Sequence, residues 1–105
     1  MAEGAGEAVD FGYLESFAAG DRRVVDEVLE LFLGQAAQWA PKLSDEAPGW
    51  RDVVHTIKGA GRGIGAVALG DACAEAEVEG EAMLPRVRQA LDEAVAAIEA
   101  YRARA

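Results

Sequence analysis

The chain has 105 residues, of which 51% are hydrophobic, and it carries a net charge of −9 at pH 7. This length supports one small domain with a single hydrophobic core, and the composition is that of a chain that folds. Binding to nucleic-acid phosphates requires clustered Lys and Arg, so the strongly negative charge argues against DNA or RNA as a partner.

The single cysteine, Cys73, excludes an intramolecular disulfide and a cysteine metal cluster. Residues 1–9 lack the basic and apolar segments of a targeting signal, and the chain has no apolar run long enough to span a membrane. We therefore expect a cytoplasmic protein without membrane contact. Its predicted organisation is a disordered segment at 1–9 followed by one domain at 10–105.

A short first helix is predicted over residues 10–20, where Asp10 is a good N-cap residue and Gly20 is typical of a helix end. A long amphipathic helix follows from Asp21, and Pro41 is expected to kink or end it. The apolar stripe of the first helix comprises Phe11, Leu14 and Phe17. That of the second comprises Val25, Val28, Leu29, Phe32, Ala36, Trp39 and Leu43.

Three more helices are predicted in the second half of the chain. One starts near Pro48 or Trp50, the next covers residues 67–79 and ends at Gly80, and the last has Pro85 in its first turn. The stripe of the fourth helix comprises Leu69, Ala72, Cys73 and Ala76, and that of the fifth comprises Leu84, Val87, Leu91, Ala94, Val95, Ile98 and Tyr101. Short loops between one-sided helices predict an all-α fold, an antiparallel four-helix bundle with a short additional N-terminal helix.

The segment HTIKGAGRGIGA, residues 55–66, contains the only histidine and four glycines within seven positions. Read as a strand, it would lead into a loose match to the dinucleotide-binding glycine pattern, but no second strand pattern follows to complete a β-α-β unit. A phosphate-binding P-loop is excluded because no Lys-Ser or Lys-Thr closes the glycine run. The segment is therefore interpreted as part of the third helix.

On a helix, the residues of this segment separate onto two faces. The apolar face is predicted to comprise Val53, Ile57, Ala60 and Ile64, and the opposite face comprises Arg51, His55, Lys58, Gly59 and Arg62. His55 therefore lies opposite the core, which argues against a buried packing role. A plain surface histidine remains open on periodicity alone.

Two features of the polar face favour a functional histidine. Gly59, one turn after His55, costs about 0.5 to 1 kcal/mol relative to alanine in a helix interior, and the cleared space would let another protein approach the imidazole. Arg51, Lys58 and Arg62 form a predicted cationic patch on an acidic molecule, which would stabilise an anion near His55. Such a site suits phosphoryl transfer, whereas one histidine without a ligand cluster supplies no metal site.

The string from His55 to Ala66, followed by Leu69, Cys73 and Glu77, resembles the histidine-containing phosphotransfer (HPt) domain family, whose signature joins His, Lys, Gly and a second Gly at fixed offsets. The resemblance spans nearly the whole chain and implies a four-helix bundle preceded by a short helix. It implies that the protein accepts a phosphoryl group from an aspartyl phosphate and passes it to another receiver domain.

The resemblance also assigns roles to individual residues. His55 would be the phosphorylated nucleophile, reacting through Nε2, and Lys58 would neutralise the phosphoryl oxygens. Gly59 would clear space for the partner and Gly65 would end the helix. Partner-binding roles for Arg51 and Arg62 rest on the charge argument alone.

Some positions depart from the family pattern or carry no assigned role. Ala76 replaces a larger apolar residue, and Gly61 and Gly63 have no assigned role. Asp52 would either orient the imidazole or be a solvated carboxylate in an early helical turn.

The expected partners are response-regulator receiver domains and a hybrid histidine kinase, and a monomer without its own cofactor is expected. The Mg²⁺ that assists transfer would belong to the receiver. Two alternatives remain open: a non-catalytic helical interaction module, and the phosphorylatable domain of a chemotaxis-type histidine kinase. The sequence indicates neither which receivers are served nor the direction of phosphoryl flow.

Overall fold

The computed structural model describes residues 8–104, and within that range the chain is helical with no β-strand. Two short 3₁₀ turns, Ala40–Lys42 and Glu81–Met83, join longer elements. The helices are α1 (Phe11–Phe17), α2 (Arg22–Trp39), α3 (Trp50–Gly63), α4 (Val67–Glu79) and α5 (Leu84–Ala103). The prediction of an all-α fold with a short N-terminal helix is confirmed.

Helices α2 to α5 form the bundle, and short connections make consecutive helices antiparallel. α2 closes the bundle by packing against both α3 and α5. The core side chains include Leu29 and Phe32 of α2, Ile57 of α3 and Leu91 of α5. None of the helices described here is both long and apolar enough to cross a membrane.

The N-terminal helix α1 starts and is held by specific contacts. The Asp10 side chain accepts a hydrogen bond from the Tyr13 backbone amide at 3.1 Å, as expected for an N-cap. Leu14 is buried, and Phe11 stacks on Tyr101 of α5 with ring centroids 4.0 Å apart. Phe17, predicted as part of the apolar stripe, is the last residue of α1 and is instead 72% exposed.

The predicted disordered segment 1–9 falls mainly on residues 1–7, which lie outside the described part of the chain. Ala8 and Val9 are described, and Val9 is fully buried in the core. The packed domain therefore begins before Asp10. The predicted domain boundary at residue 10 is therefore at least one residue too late. A lone valine before the N-cap has no periodic pattern that would have predicted its burial.

The turn between α3 and α4 is closed by Gly65, as predicted. Gly65 has a φ of +86°, and the backbone amides of Gly65 and Ala66 donate to the carbonyls of Arg62 and Gly61. This is the Schellman arrangement that ends many helices on glycine. A Cβ at Gly65 would also lie 2.8 Å from the Asp10 carbonyl oxygen, so only glycine fits beneath the start of α1.

Candidate functional site

His55 lies on the solvent-facing side of α3, with 73% of its side chain exposed. The core-facing residues of α3 are Trp50, Val54, Ile57 and Gly61. The predicted apolar face is corrected in detail, since Val53 and Ala60 are only half-buried and Val54 occupies the centre. His55 follows Val54 in sequence and is therefore rotated by about 100° from it around the helix axis. This rotation places His55 on the part of the exposed face that lies nearer to α4.

The imidazole of His55 is bound by a carboxylate from the next helix. Nδ1 of His55 lies 2.8 Å from Oε2 of Glu77 on α4. The hydrogen bond from Lys58, and then the one from His55, hold the pKa of Glu77 below its usual value, so this carboxylate is ionised at neutral pH. An ionised carboxylate only accepts, so the proton of this bond is on Nδ1 of His55. In the neutral ring, Nε2 then carries the free lone pair.

The α3–α4 hairpin brings Glu77 to His55. Two close approaches fix the packing of these helices: a Cβ at Gly61 would lie 3.2 Å from Cδ2 of Leu69, and a Cβ at Gly70 would lie 2.7 Å from Cγ of Arg62. At each of these glycines, a side chain of the opposite helix occupies the space beside the backbone. The buried Gly61, which the sequence left unexplained, is a contact point between the two helices.

The contribution of Glu77 is the part of the site that the sequence did not reveal. Glu77 belongs to the motif by position, but no role was assigned to it. Its place follows from the hairpin: Gly61 and Leu69 lie four residues either side of Gly65, while His55 lies ten residues before it and Glu77 twelve after it. In an antiparallel hairpin, residues at similar distances from the turn face each other, and that count is the signal that could have identified Glu77.

The predicted cationic patch is not a set of free charges. Nζ of Lys58 lies 2.5 Å from Oε1 of Glu77, and Nη2 of Arg62 lies 3.8 Å from Oδ1 of Asp71. The Arg51 guanidinium stacks over the Trp50 ring, 4.5 Å from its centroid. The three cations do lie around His55 on α3, but carboxylates of α4 oppose the charges of Lys58 and Arg62, which α3 by itself could not show. The Arg51 guanidinium lies against Trp50, its neighbour in the same helix.

The glycines on the exposed face of α3 leave open surface beside His55. Within the described residues, a Cβ at Gly59 or at Gly63 would meet nothing within 4 Å apart from the adjoining residues and the backbone of α3 itself. Gly59 is one turn after His55 and Gly63 is two turns after it, so the three positions form a row along the helix. Gly63 also lines a shallow groove with Leu31 and Phe32 of α2.

Asp52 is an exposed carboxylate, the second of its two predicted roles, and Cys73 lies in the core, as its place in the apolar stripe predicted. Glu77 is the carboxylate that contacts Nδ1 of His55, and Asp52 is an exposed residue in the first turn of α3, where a negative charge favours the helix dipole. Cys73 is completely buried, and burial is the main reason that its pKa rises to about 12. The thiol is a core group and takes no part in the surface site.

Comparisons with known proteins show the family to which the chain belongs. The Hpt domain family model matches residues 22–101. The structure resembles the crystal structure of histidine phosphotransferase ShpA from Caulobacter crescentus, with 58% sequence identity, a TM-score of 0.88 and coverage of 92% of each chain. No curated protein sequence matches significantly. The match to the family model and the similarity to a histidine phosphotransferase over almost the whole chain place this protein in the Hpt domain family.

Proposed function

We propose that this Hpt domain protein carries phosphoryl groups on His55, taking them from the aspartyl phosphate of one response-regulator receiver domain and giving them to another. The observation that carries the proposal is the His55–Glu77 hydrogen bond on a ring that is 73% exposed. This bond leaves one ring nitrogen as a nucleophile while the ring stays accessible to a partner protein.

The transfer reaction needs no separate base to deprotonate His55. The Nε2 lone pair attacks phosphorus, the bond between phosphorus and the aspartyl oxygen breaks, and the carboxylate leaves with the electron pair. Nε2 has no proton to lose because the ring proton is on Nδ1. The ring becomes cationic as the N–P bond forms, and the negative charge of Glu77 stabilises it. The reverse sequence passes the phosphoryl group on.

The surroundings of His55 support a protein as the phosphoryl donor and acceptor. Gly59 leaves open space one helical turn away, so the loops of a receiver can approach the imidazole closely. Arg51 and Arg62 are exposed at the edges of the same face and are proposed to contact the receiver. The Mg²⁺ required for aspartyl phosphate chemistry belongs to the receiver, and this chain is proposed to act without a cofactor of its own.

The test is transfer of labelled phosphate from a phosphorylated receiver domain. We expect an acid-labile product on the wild type, as for phosphohistidine, and none on His55→Ala. Transfer that persists in His55→Ala, or an acid-stable product, contradicts the proposal. Incubation with ATP and the core of a chemotaxis-type kinase tests the kinase-domain alternative, which predicts that His55 is phosphorylated from ATP. Binding of a receiver without phosphoryl transfer would indicate the non-catalytic module.

A further inference from the structure

The Arg62 side chain lies across α4 in a space that Gly70 leaves open. A Cβ at Gly70 would lie 2.7 Å from Cγ of Arg62 and 2.9 Å from its Nε, and Gly70 is buried. A side chain of any other residue at position 70 would therefore compete with the arginine for this space. The glycine of α4 and the arginine of α3 fit each other, and α4 thereby restricts where the guanidinium can lie.

The charge of Arg62 is only weakly neutralised by its partner. Nη2 of Arg62 lies 3.8 Å from Oδ1 of Asp71, which is beyond hydrogen-bond distance, and the two side chains are 52% and 70% exposed. An ion pair of this length in solvent contributes little to stability. The Lys58 side chain, in contrast, is 23% exposed and bonded to its carboxylate at 2.5 Å. Arg62 can therefore exchange Asp71 for a carboxylate on another protein at little cost.

The guanidinium of Arg62 lies away from the reacting nitrogen of His55. Arg62 follows His55 by seven residues, which is about two helical turns and about 10 Å along α3. Its side chain extends toward Gly70 and Asp71 on α4. A receiver domain that covers His55 would also cover this part of the surface, so Arg62 is placed to meet the body of the receiver rather than the phosphoryl group.

We propose that Arg62 is a specificity-determining contact, held on α4 by Gly70, and that it favours receiver domains that present an acidic side chain opposite it. This inference rests on the proposed function of His55. An arginine loses rotamer freedom when it binds a partner, and part of this loss has already occurred in a side chain that is confined on α4. The acidic group of the receiver replaces Asp71 as the partner of the guanidinium. A receiver with a basic residue at that place is disfavoured by charge repulsion.

Rates of His55 phosphorylation with two donors separate this contact from the chemistry at the imidazole. One donor is the phosphorylated receiver domain that reacts fastest with the wild type in a panel, and the other is phosphoramidate, which makes no protein contact. In Arg62→Met, the ratio of the receiver rate to the phosphoramidate rate is expected to fall about two- to fivefold at low salt, the effect of one exposed charge pair. The fall is expected to be smaller at high salt, because such a pair is screened. A ratio equal to that of the wild type at low salt overturns the proposal.

Gly70→Ala tests whether α4 positions the arginine. The added methyl group displaces the flexible Arg62 side chain and leaves the backbones of the two helices in place. We therefore expect a lower ratio of the two rates without a lower urea midpoint. In the Arg62→Met background, Gly70→Ala is expected to change the ratio no further. An equal fall in that background would show that Gly70 acts without Arg62 and would overturn the positioning.

Arg86→Met is the matched control. Arg86 belongs to α5, its side chain is 68% exposed, and its Nε lies 3.7 Å from Oε1 of Glu75, so the variant loses a similar ion pair and the same charge. We expect the wild-type ratio of the two rates. A fall as large as in Arg62→Met would assign the effect to net charge and overturn the proposal. Failure of every receiver in the panel to phosphorylate the wild type would overturn the proposed function, and this inference with it, whereas a wild-type ratio in Arg62→Met overturns the inference alone.

Discussion

At the scale of single residues, a carboxylate on one side of an imidazole makes its two nitrogens different. Glu77 accepts from Nδ1 of His55 at 2.8 Å, and the proton on that nitrogen leaves the other free to react. The same carboxylate is held by Lys58 on its second oxygen. Three side chains from two helices thus determine where the proton of one ring resides.

The lowered pKa of Glu77 predicts a specific pH dependence of stability. A carboxyl group with a lower pKa in the folded than in the unfolded chain stabilises the fold above its unfolded pKa, here about 4.5, and this contribution is lost as the pH falls through the lower folded value. Glu77→Gln lacks this contribution. Its free energy of unfolding is therefore expected to fall less steeply than that of the wild type as the pH decreases below 4.5.

Urea unfolding between pH 7 and pH 3 measures this difference. Glu79→Gln is the matched control, because it makes the same charge change at an exposed position on the same helix. We expect its pH profile to stay closer to that of the wild type. Parallel profiles for Glu77→Gln and the wild type would show that the contacts with Lys58 and His55 do not contribute to stability.

The sequence predicted His55, Lys58, Gly59 and Arg62 on one exposed face because residues three and four apart on a helix share a face. The network that joins them to Glu77 could not be predicted in the same way. It depends on the register between two helices, which is determined by Gly61 and Gly70 at the contact points. Glycine has no apolar side chain, so a periodicity analysis does not report where it is buried.

At the scale of elements, two glycines of α3 that lie two residues apart have opposite surroundings. Beyond its neighbours and the backbone of α3, a Cβ at Gly59 would meet nothing within 4 Å among the described residues, whereas a Cβ at Gly61 would lie 3.2 Å from Leu69. One glycine therefore leaves open surface and the other makes a close contact with α4. The same substitution at the two sites must have opposite effects on stability.

We predict that Gly59→Leu stabilises the fold by about 0.5 to 1 kcal/mol, because leucine is a much better helix former than glycine. Gly61→Leu is expected to destabilise it by about 1 to 3 kcal/mol through overpacking against α4. Urea midpoints of the two variants measure both effects. A Gly61→Leu protein as stable as Gly59→Leu would mean that α3 and α4 can move apart at little cost.

Gly59→Leu also tests the open surface beside His55. It is expected to slow transfer from a phosphorylated receiver, because a leucine side chain would keep the protein partner away from His55. The reaction of His55 with phosphoramidate, a small phosphoryl donor, is expected to stay unchanged. Equal rates with both donors would show that the receiver does not cover this position.

The helices themselves were largely predictable. The boundaries of α4, Val67–Glu79, match the sequence prediction, and α2 ends as an α-helix at Trp39, two residues before Pro41. N-caps, glycines and prolines are local signals, so they mark boundaries without knowledge of the fold. The exposure of Phe17 was not predictable, since it depends on where α1 lies relative to the bundle.

At the scale of the whole molecule, the first helix is joined to both the last helix and the hairpin that carries the site. The Tyr101 hydroxyl donates to Glu15, Phe11 stacks on the Tyr101 ring, and the Asp10 amide donates to the Gly65 carbonyl at 2.9 Å. Contacts between the two ends of the described chain therefore also support the turn at which α3 ends.

Cys73 provides a measure of how this assembly opens. The side chain is fully buried and burial raises its pKa to about 12, so thiolate is scarce at neutral pH and the sulfur is out of reach of reagents. We predict that iodoacetamide labels the folded protein far more slowly than the protein in urea, and that the native labelling rate rises with the unfolded fraction. Rapid labelling while circular dichroism still reports a folded helix bundle would contradict this prediction.

The high exposure of His55 bears on how long the phosphorylated form of the protein would persist. With 73% of the side chain in solvent, a phosphoryl group on this ring would be largely surrounded by water, and the described part of the chain leaves the ring open. How long the molecule stays loaded would then depend on the intrinsic lifetime of the phosphorus–nitrogen bond. The time available for binding the next partner would thus be limited by the stability of this bond. The fraction of phosphoryl groups that is passed on would then depend on the concentration of that partner.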